Sequence, residues 1–206
     1  MAKTTLLTPI GSYPDMPGRQ AGVITPMVLR RMLGYTRHSL SPERDRVVVL
    51  LSVRAGLRAA EIAKLDWSMV LDARGLVGDT ICVRDAIAKK RSGRRIPMHK
   101  DLRRALTILK QESGGFGPVI QSARGGAMRP NSIVNWFVQL FAELGVVGCS
   151  SHSGRRTFIT SAARKAHRAG CSLRDVQLLA GHQSIETTQG YIDGDTLSQR
   201  KLIALL

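Results

Sequence analysis

The stretch from Ser151 to Tyr191, SHSGRRTFITSAARKAHRAGCSLRDVQLLAGHQSIETTQGY, decides how the rest of the chain is read. His152 and Arg155 stand three positions apart, which on a helix sets them on one face. Ser151 is placed to cap that helix. Ser172 with Asp175 predicts a capping box for a helix over 173–180, with Asp where Glu is usual. Gly181 reads as its end, because glycine is the usual residue just past a helix C-terminus. His182 follows directly, and Tyr191 lies one short helical segment further on, through Ser184 to Gln189. These intervals of His, Arg and Tyr suit chemistry better than architecture.

Working outward, 206 residues are enough for one large domain, or one domain plus a tail. The chain has 31 Lys and Arg against 15 Asp and Glu, a formal net charge of +16. That excess calls for a polyanionic partner, since Lys and Arg neutralise phosphates and release condensed counterions. A membrane surface would attract it too, but no basic amphipathic helix carries a bulky apolar face. The longest apolar run, Val47 to Val53 with Ser52 inside it, is too short to span a bilayer. The N-terminal MAKTTLLTPIGSYPDMPGRQ lacks the layout of a secretory signal, so a cytoplasmic protein is expected. Cys82, Cys149 and Cys171 are odd in number and have no paired spacing, which points to neither a disulfide framework nor a zinc site. No metal is implied. Aromatic residues make up only 4% of the chain, which argues against binding single strands by base stacking.

Along the chain, residues 1–23 carry Pro9, Gly11, Pro14, Pro17 and Gly18 and read as an arm or linker. Thr25-Pro26 starts a helix, with Gly34 as its stop. Ser41-Pro42 repeats the start signal before Arg44 to Ala55, a helix apolar nearly all round and therefore central to the core. Gly56 breaks it. A second helix begins near Arg58 with Ile62 and Leu65 inward, and Arg58 and Glu61 share a face, which by itself is an ordinary ion pair. Thr80 to Val83 reads as a strand, Ser92-Gly93 as a turn, and Arg94 to Pro97 as a returning edge strand. Lys89, Lys90, Arg91, Arg94 and Arg95 then form a basic hairpin tip, either a solvated charge run or, with this net charge, a phosphate contact. His99 to Ser113 is amphipathic, with Leu102, Leu106 and Leu109 inward. Pro130 opens a helix whose Ile133, Phe137, Leu140 and Phe141 form a core stripe, and Gly145 ends it. Arg164, Lys165 and Arg168 suit phosphate backbone or a solvated face almost equally well. Residues 195–206 read as a short helix with an apolar end that folds back or docks on a neighbour. The expected fold class is α+β, mainly α-helical, with a small antiparallel β-hairpin.

Side by side, these blocks resemble the tyrosine recombinase (phage integrase) family, including Xer-type recombinases and Cre. AGLRAAEIAKLDW resembles the first-arginine block, with Arg58 at the arginine and Glu61 at the acidic position. AKKRSGRRIPM resembles the β-hairpin block, and counting back from Pro97 sets the family's catalytic lysine on Lys89. HSGRRTF resembles the His-x-x-Arg block, giving His152 and Arg155, with Arg156 where the family often has His. LLAGHQSIETTQGY is the most specific match, with His182 and the nucleophile Tyr191 at the family's interval. The resemblance covers residues 24 to 206 and implies a catalytic domain there. The family's N-terminal core-binding domain is not expected within residues 1–23, which read as an arm or linker.

The resemblance implies cutting and rejoining of double-stranded DNA through a 3′-phosphotyrosyl intermediate, with no cofactor. Tyr191 would attack the phosphodiester, losing its proton to His152, a side-chain type that changes charge near neutral pH. Arg58 and Arg155 would clamp the non-bridging oxygens with their forked, permanently charged donors, and His182 would add a hydrogen bond. Lys89 would protonate the leaving 5′ oxygen, while Glu61 orients an arginine. Lys90, Arg91, Arg94, Arg95, Arg156 and Arg164 are the expected DNA contacts. Assembly as a tetramer on paired sites would run through the helix over 195–206. A type IB topoisomerase, or a DNA-binding protein that keeps the fold without cutting, are the competing readings.

Overall fold

The apolar run from Val47 to Val53 has no polar face, and a helix with none must be covered on all sides. A computed structural model describes residues 21–89, 92–191 and 203–204. Among them the helices are α1 (Pro26–Thr36), α2 (Pro42–Arg54), α3 (Ala59–Ala63), α4 (Lys100–Ser113), α5 (Pro130–Glu143), α6 (Ser153–Ala166), α7 (Leu173–Ala180) and α8 (Ile185–Gln189). Every residue of α2 from Val47 to Val53 is buried. Helices α1, α4 and α6 pack on it, α3 packs on α5, and α7 joins α6 to α8. The fold is α+β and mainly helical, as expected.

The sheet is small. Strand β1 (Thr80–Val83) pairs antiparallel with β2 (Arg94–Pro97), Ile81 opposite Ile96 and Val83 opposite Arg94. Both strands match the sequence reading, but the tip does not. The connection runs from Arg84 to Gly93, so Ser92-Gly93 closes a long loop rather than a tight turn, and Arg94 and Arg95 belong to the strand. Lys90 and Arg91 lie outside the described residues, as do residues 1–20 and all of 195–206 except Ile203 and Ala204.

Helix ends follow local chemistry. The Thr25 hydroxyl accepts the Val28 N–H at 3.3 Å, with Pro26 at the first helical position. Gly34 does not end α1, which runs on to Thr36 because buried Leu29, Met32 and Thr36 hold its inner face. An interior glycine costs only about 1 kcal/mol against alanine. Helix α6 begins at Ser153, with His152 rather than Ser151 in the capping position. The Ser153 hydroxyl accepts the Ser150 N–H at 2.9 Å, and buried Ser151 is turned into the fold instead. The predicted box at α7 is present, Asp175 accepting the Ser172 N–H at 2.8 Å.

One close approach sets the position of α6. A Cβ at Gly154 would stand 2.0 Å from Ser52 Oγ and 2.8 Å from Ser52 Cβ on α2. Only glycine lets the two backbones cross at that distance. A second, smaller apolar cluster of Ile159, Val176 and Ala180 lies on the other side of α6, with Phe158, Leu173 and Tyr191 packed against it.

Candidate active site

Two segments far apart in sequence, the start of α3 and strand β2, meet at one carboxylate. Glu61 is fully buried in the first turn of α3. It accepts the Arg58 backbone N–H at 2.9 Å and Arg58 Nη1 at 3.1 Å, so this pair is at once a helix start and an ion pair. The stronger partner comes from β2. Arg94 Nη1 and Nη2 donate to the two Glu61 oxygens at 2.9 and 3.0 Å in a bidentate fork, while Arg94 Nε donates to Leu179 O at 2.9 Å. Burial alone would raise the Glu61 carboxyl, but the hydrogen bonds and charge of Arg94, then those of Arg58, outweigh it and hold its pKa below the ordinary carboxylate value.

Arg94 therefore departs from its expected place at the DNA. Its side chain is only 4% exposed and all three nitrogens are engaged. The signal was present in the strand period. Ile96 is the apolar, buried residue of β2, and Arg94, two positions earlier, shares its face. Arg95 points the other way and is exposed.

Arg155 is held in the same way, from below. It is buried on the first turn of α6, donating from Nη1 to Gly56 O at 2.7 Å and from Nη2 to Ala180 O at 2.6 Å. Both carbonyls belong to helix ends made by glycine: Gly56 at φ +63° and Gly181 at φ +64°. A side chain at Gly56 would also strike Phe158, 2.4 Å from where its Cβ would stand. Burial, then the charges of Arg58 and Arg94, push Arg155 down to about 10, with Glu61 and Tyr191 acting in the opposite sense. At neutral pH it remains charged. Three guanidiniums around one carboxylate leave the site strongly electropositive.

His182 follows Gly181 and lies between this cluster and the tyrosine. Its Nδ1 is 2.9 Å from the hydroxyl of Thr188, which is fully buried, and its backbone carbonyl accepts Gln177 Nε2 at 2.9 Å. Burial first, then the charges of Arg155, Arg58 and Arg94, lower it to about 4, so it is neutral at physiological pH. The Tyr191 ring stacks on the His182 ring, with centroids 5.4 Å apart and planes at 24°. Thr160 Oγ1 donates to Tyr191 O at 3.2 Å, tying the end of α8 to α6. Thr188, Gln177 and Thr160 were not singled out in the sequence; a hydroxyl or amide on a helix face carries no spacing that marks it.

The remaining candidates sit at the rim. His152 is exposed and, with Arg156, Glu186, Thr187 and Tyr191, lines a cleft of about 330 Å³. Lys89 is exposed in the β1–β2 loop, and its ammonium meets no partner among the described residues. The structure thus gathers Arg58, Glu61, Arg155, His182 and Tyr191, sets His152 in the same cleft as Tyr191, and carries Lys89 on the loop that meets the Gly181–His182 turn through Ser92 and Arg94. Arg164 is exposed on α6. Among the described residues, no group of His, Cys, Asp and Glu could hold a metal ion, and no helix is long and apolar enough to cross a membrane.

Residues 22–197 of this helical domain, which holds the arginine, histidine and tyrosine cluster, match the model of the phage integrase family. The chain belongs to that family. It is 29% identical over 174 residues to the tyrosine recombinase XerC of Bradyrhizobium diazoefficiens, covering 80% of this chain and 50% of the relative. It thus spans about half the length of that relative. Its fold is shared with the XerA recombinase (TM-score 0.71, 21% identity, 94% of this chain and 66% of the other). It is also shared with the Tn1549 transposon integrase in complex with transposon right end DNA (TM-score 0.70, 18% identity, 92% and 67%).

Proposed function

We propose that residues 24–206 act as the catalytic domain of a site-specific DNA recombinase or integrase, with Tyr191 as the nucleophile. The observation that carries this reading is the convergence of Arg58, Arg155 and His182 on Tyr191 from separate segments, held by a buried frame. Duplex DNA is the partner, in keeping with the +16 charge. Tyr191 Oη attacks the scissile phosphorus, its proton passing to His152 in the same cleft. The bond to the 5′ oxygen breaks, that oxygen takes a proton from Lys89, and a 3′-phosphotyrosyl link remains. Attack by a second strand's 5′-hydroxyl reverses these steps on a new partner.

The frame suits the charge that develops. Negative charge grows on the non-bridging oxygens, and donors fixed before the reaction need no reorganisation to meet it. Arg155 is so fixed, by two backbone carbonyls. Neutral His182 can donate from Nε2 when its Nδ1 accepts the Thr188 hydroxyl proton, a geometry the 2.9 Å contact allows. Arg95, Arg156 and Arg164, together with Lys90 and Arg91, are the proposed backbone contacts. The segment 195–206 is the proposed link between protomers in a tetramer.

The test is a nicked suicide duplex carrying candidate target DNA, resolved on a denaturing gel. A covalent protein–DNA band that disappears in Tyr191→Phe and persists with a chelator is expected. Salt-sensitive DNA binding with no band across a broad library of sites would sink the cutting activity. Strand exchange between two sites, rather than relaxation of one supercoiled substrate, separates a recombinase from a topoisomerase.

A further inference from the structure

We infer that Arg94 is a positioning residue that seats the β1–β2 hairpin, and with it Lys89, on the corner carrying His182. The inference rests on the reading of Lys89 as proton donor to the leaving oxygen. Arg94 is turned inward in this arrangement, its side chain only 4% exposed and its Nε, Nη1 and Nη2 each donating to Leu179 O or Glu61. Those two partners belong to different elements, α7 and α3. The strand is thereby tied at its base to both the first-arginine corner and the end of the helix that precedes His182.

The tie extends along the loop. A Cβ at Gly181 would stand 2.9 Å from Arg94 Cδ and 3.2 Å from both Arg94 Nη1 and Ser92 O, so the hairpin base lies directly on the Gly181–His182 turn. The Ser92 hydroxyl in turn donates to Lys89 O at 2.8 Å. From Glu61 through Arg94 and Ser92 to the Lys89 backbone is a short line of packed or hydrogen-bonded contacts. The distal brace is weaker and exposed: Asp85 Oδ1 accepts the Gly93 N–H at 2.7 Å. A lysine ammonium on a flexible stem needs its backbone fixed if it is to deliver a proton to one oxygen as the P–O bond opens.

The experiment compares two suicide duplexes, one ordinary and one with sulfur at the 5′-bridging position. A thiolate leaves without a proton, thiols being far stronger acids than alcohols. Lys89→Ala serves as reference and should lose cleavage on the oxygen substrate and recover it on sulfur. Arg94→Lys should cut the oxygen substrate on the order of 10- to 100-fold more slowly, within what general-acid catalysis supplies, and the sulfur substrate less than about threefold more slowly. The double variant should be no slower than Lys89→Ala alone, as for two residues acting in one step. Equal losses for Arg94→Lys on both substrates would overturn the inference and make Arg94 a support of the phosphate clamp or of the fold. If Arg94→Lys does not unfold cooperatively, Asp85→Ala, which loosens the same hairpin at the surface, carries the test: a loss confined to oxygen supports it, equal losses overturn it. A wild-type protein that forms no covalent complex on either substrate would remove the strand-transfer reading itself, and Lys89→Ala unrescued by sulfur would remove only the role of Lys89.

Discussion

The two sides of the candidate site are built differently. On the inner side Glu61, Arg94 and Arg155 are buried, and their contacts are to one another or to the carbonyls at helix ends. On the outer side His152 and Lys89 are exposed, on a helix cap and a loop. Under the proposed mechanism the inner side binds phosphate charge and the outer side moves protons. Charge binding gains from a fixed frame, because preorganised donors spend nothing on alignment. Proton transfer needs access to solvent and to the strand, and the rim supplies it. The difference teaches that substitutions on the inner side should be read first as folding defects, and those on the rim as kinetic ones.

The sharpest way to break that comparison is Glu61→Ala. Removing one partner of a buried ionic group leaves uncompensated charge and costs about 3–5 kcal/mol. Here Arg94 and Arg58 would both lose it. For a chain of this size that lowers the melting temperature by on the order of 10 °C, readable by circular dichroism. Glu61→Gln, which keeps an acceptor oxygen, should lose less. By contrast, Lys89→Ala and His152→Ala should stay within about 0.5 kcal/mol of wild type while cleavage falls by about 100-fold or more. Equal stability of Glu61→Ala and Lys89→Ala would erase the distinction between the two sides.

Next in size is Gly154→Ala. The new Cβ would fall 2.0 Å from Ser52 Oγ, so α6 must move off α2 or the serine must swing away. Overpacking of this kind costs about 1–3 kcal/mol. Because α6 also carries Arg155 in its first turn, cleavage should fall along with stability. The double variant Ser52→Ala, Gly154→Ala removes the hydroxyl in the way and should recover part of both losses. No recovery would mean that the contact with Ser52 Cβ, at 2.8 Å, or the backbone decides the packing.

These positions also mark how far the sequence could be read. The helices declared themselves through apolar period, proline starts and glycine ends, and both strands were placed to the residue. Arg58, His152, Arg155, His182 and Tyr191 were legible through spacing and through resemblance to the family. The buried frame was harder. Arg94 lay in a run of basic residues whose usual meaning is a solvated face, and only strand alternation with Ile96 argued otherwise. Gly154 carries no mark of its role within the His-x-x-Arg block, because a close helix crossing depends on a partner a hundred residues away. Thr188 read as one of two adjacent threonines in a short helix; its burial against His182 is a tertiary fact.

Smaller effects are expected at that histidine. Thr188→Val keeps shape but withdraws the hydroxyl 2.9 Å from His182 Nδ1. With the ring tautomer no longer set, covalent-complex formation should slow by about tenfold, the equivalent of one hydrogen bond of about 1.4 kcal/mol. Thr188→Ser should retain most activity. The same site has a pH signature. His182 is depressed to about 4 in the folded chain, against an ordinary imidazole value of 6.5. Between those values the unfolded chain binds the extra proton and the folded chain does not. Its contribution to stability is therefore complete above about 6.5 and is lost as pH falls through about 4. A histidine-resolved NMR titration should show His182 with a midpoint near 4 in the free protein, raised when DNA phosphate offsets the surrounding arginines. A free-protein midpoint near 6.5 would mean that the ring is not as buried, and the guanidiniums not as close, as the folded geometry sets them.

The smallest effect lies furthest out on the rim. Arg95 and Arg164 are exposed and are proposed only as phosphate contacts. If each neutralises one phosphate, Arg95→Ala or Arg164→Ala should weaken DNA binding uniformly across sequences and reduce the salt slope of the binding constant by about 1. Arg94→Ala, at the neighbouring position on the same strand, should act the other way round, losing thermal stability while a folded fraction keeps its salt slope. Neighbouring arginines on one strand would then separate by face alone, one working through the frame and one through the counterion atmosphere. A salt slope reduced by Arg94→Ala and untouched by Arg95→Ala would reverse the assignment of faces and return Arg94 to the DNA.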